Sequence, residues 1–176
     1  MSKLQLKKEI KNLSREQLEN MILDVYDARK EIKEYFEFFL NPDVDKLKEK
    51  YKVAISRELS RSKRGYSKAR ISVIKKLIKE FASFQPGFEA EIDLYYYAVS
   101  FAMLVETSLY CSDTLINGIT FLVVQMLDYA DTNCVADKTL ARLLVLADNE
   151  NSGTKYFRNH LREILESYTP EQRIRN

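Results

Sequence analysis

The runs Leu94-Tyr-Tyr-Tyr-Ala-Val-Ser-Phe-Ala-Met-Leu-Val105 and Thr114-Leu-Ile-Asn-Gly-Ile-Thr-Phe-Leu-Val-Val-Gln-Met-Leu127 carry no charge. A helix that is apolar all round has to be covered on several sides, so the two runs read as a central helical hairpin with other helices packed around it. Cys111-Ser112-Asp113 is the expected link. Each run is shorter than the roughly 18 to 20 apolar residues of a membrane span, and the tyrosine hydroxyls of the first would need polar partners in lipid. A buried core pair without membrane insertion is the expectation.

The rest of the 176-residue chain supplies the covering helices. Ser14 followed by Gln17 is a capping box, and a long helix is expected from there through Leu18, Ile22, Val25, Ile32, Phe36 and Phe39, a buried seam broken only at Arg29. Asn41-Pro42 is a stop and a start together. A third helix over 43–59 follows, with Val44, Leu47, Tyr51, Ile55 and Leu59 on one stripe. Residues 60–67 read as a polar loop whose Ser67 caps a fourth helix over 68–84. After the central pair come short helices over 137–147 and 154–168, and the tail 169–176 is expected to fray. Gly118, inside the second uncharged run, is expected to permit a close helix approach. Four glycines and three prolines leave few turn sites, which favours long helices and argues for one all-α domain over 1–176: an antiparallel multi-helix bundle or a short stack of helical hairpins.

The stretches Leu6-Lys-Lys-Glu-Ile-Lys-Asn-Leu-Ser-Arg-Glu-Gln-Leu18, Glu34-Tyr-Phe-Glu-Phe-Phe-Leu-Asn-Pro42 and Lys68-Ala-Arg-Ile-Ser-Val-Ile-Lys-Lys76 resemble a family of small uncharacterised bacterial all-helical proteins, a domain of unknown function. The resemblance is carried mainly by the first half of the chain. It implies an all-helical bacterial protein and brings no catalytic residues.

Charge is distributed unevenly. Between Lys52 and Phe84 stand ten basic residues and two acids, and between Phe88 and Glu150 ten acids and two basic residues, so the overall +2 conceals two opposed blocks. Arg57, Arg61, Lys63 and Arg64 lead into the expected helix start at Ser67, with Lys68 and Arg70 in its first turn and Tyr66 as a stacking face. Free N–H groups and the positive dipole end make such a start attractive to anions. These eight residues are the candidate contact site for an acidic protein, a nucleic-acid backbone or a phosphate ligand. The two blocks could also face each other, within the chain or across two copies.

Chemistry-bearing constellations are sparse. His160 is the only histidine, Cys111 and Cys134 the only cysteines, and Glu89/Asp93 and Asp128/Asp131 the carboxylate pairs at helical spacing. None has the partners of a metal site or a catalytic triad, so no metal, cofactor or catalytic residue is assigned. The N-terminal residues lack a secretory pattern, which points to the cytoplasm. The reading is a cytoplasmic helical binding module for a protein partner or for self-association. The alternative is nucleic-acid or phosphate binding through the same region, and an enzyme is the third class.

Overall fold

The computed structural model describes residues 1–168, so the expected fraying of 169–176 lies outside the described residues. The chain divides into two compact units, Met1–Asp43 and Val44–Asn176.

The first unit holds α1 (Lys3–Ile10), α2 (Arg15–Ala28) and α3 (Lys30–Leu40). The capping box at α2 forms as expected, with the Ser14 hydroxyl accepting from the Gln17 N–H at 3.2 Å and the Gln17 side-chain oxygen accepting from the Ser14 N–H at 2.8 Å. The long helix expected from Ser14 onward is two helices, because Arg29 is extended at φ −141° and ψ 124°. That is the position where the apolar seam lapses. The turn is held by Lys33 on Asp27 at 3.2 Å and by the edge-to-face contact of Tyr26 with Phe36, 6.1 Å between centroids. Taken by itself this unit buries no residue of its helices, and Ile22, Val25 and Phe39 of the expected seam are exposed.

The second unit carries the core. It runs α4 (Val44–Leu59), β1 (Ser62–Lys63), β2 (Tyr66–Ser67), α5 (Ile71–Ser83), α6 (Phe88–Glu106), α7 (Asp113–Thr132), α8 (Ala136–Asp148), a 3-10 turn (Glu150–Ser152) and α9 (Lys155–Ser167). The architecture is all-α, with one two-stranded hairpin inserted. The two uncharged runs are α6 and α7, and their Leu94, Val99, Met103, Ile119, Val123, Met126 and Leu127 are fully buried. Helix α6 touches α4, α5, α7 and α8, which is why its stretch from Leu94 to Val105 carries no charge.

Two close approaches fix the packing. A Cβ on Gly118 of α7 would stand 2.8 Å from Ile71 Cγ1 of α5, so the glycine does permit the helix approach that its place in an apolar run implied. A Cβ on Gly153, beside the 3-10 turn, would stand 3.0 Å from the Met103 carbonyl oxygen of α6. The three consecutive tyrosines of α6 diverge as the helical step requires. Tyr96 lies under the Arg142 guanidinium at 3.8 Å, Tyr97 stacks on Phe101 at 5.7 Å between centroids, and Tyr95 turns to the Glu91 and Tyr129 side.

Candidate functional site

The basic segment is organised by an acid. Glu58 continues the buried face of α4 set by Tyr51 and Ile55, and its carboxylate lies under the start of α5. Four groups donate to it. Arg70 gives its backbone N–H at 2.9 Å and its Nε at 3.0 Å to Oε1, with Nη2 3.3 Å from Oε2. Arg61 Nη1 lies 3.1 Å from one carboxylate oxygen and 3.2 Å from the other. The Arg70 guanidinium, helped by its backbone N–H and by Arg61, holds the Glu58 carboxyl below the usual range although burial pushes the other way. Arg70 is the N-cap of α5 and makes no side-chain cap bond of its own. Its N–H would ordinarily be met by a Glu or Gln three residues into the helix. Here that position is Val73, and Glu58 does the work from another helix.

This changes the expected helix start. Helix α5 begins at Ile71, not at Lys68, and Ser67 does not cap it. The residues expected as a loop form a hairpin: Ser62 pairs with Ser67 and Lys63 with Tyr66, while Arg64 and Gly65 turn the chain at φ 54° and 80°. Positive φ at both turn residues is the geometry of a two-residue hairpin that follows strand twist. Lys68 N–H donates to the Arg61 carbonyl at 2.7 Å, and the link after α6 tethers the hairpin on its outer side. Ser67 N–H donates to the Tyr110 carbonyl at 2.9 Å, and Tyr110 N–H to the Gly65 carbonyl at 2.8 Å. Tyr66 and Tyr110 meet edge to face at 5.3 Å, both largely exposed.

The eight candidate residues therefore separate into three groups. Arg61 and Arg70 are engaged by Glu58 and serve the fold. Ser67 is a ladder residue whose hydroxyl accepts from the Ala69 N–H at 3.2 Å. Arg57, Lys63, Arg64 and Lys68 are exposed, with Tyr66 beside them, and among the described residues none of the four cations has a carboxylate within ion-pair distance. Glu58 and Tyr110 are the members that sequence reasoning passed over. For Glu58 a signal was present, since it falls seven residues after Tyr51 and three after Ile55, on the buried stripe. For Tyr110 there was none, because its role depends on where the α6–α7 link passes.

A family model described as a family of unknown function (DUF6155) matches residues 1–169. The chain belongs to that family. The match extends well past the first half, to which the sequence resemblance was mainly confined. No curated protein and no solved structure matches this DUF6155 member.

The remaining ionisable groups of this DUF6155 chain sit apart from the hairpin. Asp93 accepts from Arg142 at 2.6 Å and lies 3.6 Å from Lys48; burial pushes its carboxyl up, but the two cations hold it below the usual range. Burial raises the Glu91 carboxyl against the pull of the Tyr129 hydroxyl. The Tyr129 phenol in turn is pushed up to about 12 by burial and by Glu91. His160 stacks on Tyr156 with its Nδ1 3.9 Å from Glu163. Among the described residues there is no group of three or more His, Cys, Asp or Glu that could hold a metal ion, and no helix is long and apolar enough to cross a membrane. In the basic block Glu58 pairs with Arg61 and Arg70 and Lys76 with Glu80, while Lys52 reaches outside it to Glu49; in the acidic block Asp93 pairs with Arg142 and also with Lys48, and Asp148 with Arg162.

Proposed function

We propose that this chain is a bacterial cytoplasmic interaction module that takes hold of an acidic protein surface through the hairpin between α4 and α5. Arg57, Lys63, Arg64 and Lys68 supply the charge and Tyr66 the contact area. The partner is another protein or a second copy, whose 88–150 block offers the complementary potential. The observation that carries this reading is the position of Glu58. A single phosphate is held best where cations and backbone N–H groups converge on one point. Among the described residues the only such convergence near the hairpin already holds the Glu58 carboxylate, with Arg61, Arg70 and the α5 start engaged by it. The cations left over are dispersed, Arg57 on α4, Lys63 and Arg64 on the hairpin and Lys68 just after it, which suits a broad acidic surface better than one phosphate. Both cysteines are free thiols, in keeping with a reducing compartment.

The second reading, binding of single-stranded nucleic acid, is favoured by the exposed Tyr66–Tyr110 edge beside the cations, on which bases could stack. One experiment separates the two. A photo-cross-linker replacing Tyr66 is expected to capture a protein whose purified complex dissociates as salt rises and fails to form when Lys63, Arg64 and Lys68 are all changed to Glu. Labelled single- and double-stranded DNA and RNA are expected to stay unbound even at low salt. Nucleic-acid binding that falls with salt and vanishes in the triple variant would overturn the first reading in favour of the second.

A further inference from the structure

Helix α5 carries a second cationic feature that the hairpin does not explain. Lys75 and Lys79 are four residues apart, so their ammonium groups share one helix face, where like charges repel. Lys75 is half-buried, its Nζ 4.2 Å from the centre of the Phe121 ring on α7, and Lys79 is exposed. Their neighbour Lys76 is paired with Glu80 at 3.5 Å, whereas among the described residues neither Lys75 nor Lys79 has a carboxylate within ion-pair distance.

Between these lysines and α7 opens a cavity of about 300 Å³. It is lined by Lys75, Ile78, Lys79 and Ala82 of α5, Tyr95 of α6, and Leu122 and Gln125 of α7. Lys75 and Lys79 give this lining a positive balance, Ile78, Ala82 and Leu122 its apolar character, and Gln125 and Tyr95, which also faces Glu91, its other polar groups. The volume lies at the low end of the roughly 300 to 1,000 Å³ typical of ligand sites, so the matching ligand is small. A cation would meet two positive charges, and a neutral apolar molecule would leave them unanswered.

We propose that this groove is a binding site for a small amphipathic carboxylate. Its head group lies between Lys75 and Lys79 within reach of Tyr95 and Gln125, and its short apolar body covers Ile78, Ala82 and Leu122. The carboxylate relieves the repulsion along α5, and the body packs against a lining whose Ile78 and Leu122 are already buried, so charge pairing carries most of the affinity. Lysine fits this task as a mobile point charge, which tolerates different head-group geometries better than a guanidinium fork would.

The test uses the full chain and sodium octanoate, followed by calorimetry and by amide shifts. Saturable binding is expected, with shifts concentrated at residues 75–82 and 122–125. Changing Lys75 and Lys79 together to Ala is expected to weaken it by about tenfold or more, the scale of losing charge-assisted hydrogen bonds. Thermal unfolding of the double variant checks that the fold is kept. Ala82→Phe, which fills the groove and leaves both lysines, is expected to block octanoate as well. The hairpin variant with Lys63 and Arg64 changed to Glu is expected to bind octanoate as the unaltered chain does, which keeps this site separate from the proposed partner surface. Absence of saturation, unchanged affinity in the double lysine variant, or equal binding of uncharged 1-octanol would each overturn the proposal.

Discussion

Replacing Gly153 by alanine is expected to destabilise the chain by about 3 kcal/mol or more, read as a lower urea midpoint with an unchanged slope. Two costs add at this position. The residue sits at φ 152°, which a side chain rarely adopts, and a Cβ there would lie 3.0 Å from both the Met103 carbonyl oxygen and the Met103 Cβ. The obstacle is helix backbone in the middle of the core, since Met103 is fully buried. The turn cannot back away either, because Thr154 next to it donates its hydroxyl to the Glu106 carboxylate at 2.5 Å. Gly118→Ala is the useful contrast. Its new Cβ meets the Ile71 side chain, with Cγ1 at 2.8 Å and Cβ at 3.1 Å, and the cost of shifting that side chain is offset by the roughly 1 kcal/mol that a helix interior gains on losing a glycine. A Gly153→Ala midpoint equal to that of Gly118→Ala would mean that the backbone approach is not the constraint described.

Glu58→Ala is expected to cost about 2 to 3 kcal/mol at neutral pH, and to loosen the hairpin as it does so. The change leaves the Arg70 N–H at the α5 start and two guanidiniums without their acceptor. Removing one member of a fully buried ion pair would cost roughly 3 to 5 kcal/mol. Here the Arg61 and Arg70 side chains are 45% and 59% exposed, so water answers part of the loss. The effect should depend on pH in a defined direction. Because the folded Glu58 carboxyl is held below its ordinary range, its contribution is complete above the unfolded value of about 4.3 and disappears as pH falls through the folded value. Unaltered chain and Glu58→Gln should therefore differ at pH 7 and converge in acid. A gap that persists or widens in acid would show that the carboxylate charge is not what holds the hairpin.

The helical architecture was legible because it rests on local signals. Two uncharged runs could only be a covered helix pair, the Ser14–Gln17 box and Asn41-Pro42 marked ends, and Gly118 in an apolar run announced a close neighbour. The long helix expected from Ser14 fails locally, at the extended Arg29 where the apolar seam lapses, and the other failures rest on contacts distant in sequence. Ser67 resembled a cap from its neighbours alone, yet the start of α5 is set by Glu58, twelve residues before Arg70. The hairpin was hidden because Arg64-Gly65 is a weaker turn signal than Asn-Gly, and because its outer strand leans on Tyr110, forty-three residues beyond Ser67. Counting charges between Lys52 and Phe84 identified the basic surface. It could not tell the cations that face outward from the two that one buried acid consumes.

The α6–α7 link has one more use, as a built-in reporter. Cys111 directly follows Tyr110, is buried, and has its thiol pushed further from ionisation by burial and by Glu106, while Cys134 lies exposed after α7. The native chain thus offers one thiol to an alkylating reagent and withholds the other until the link lifts away. The slow second addition of mass, timed against the fast first, clocks the opening of the hairpin's tether without a single engineered residue.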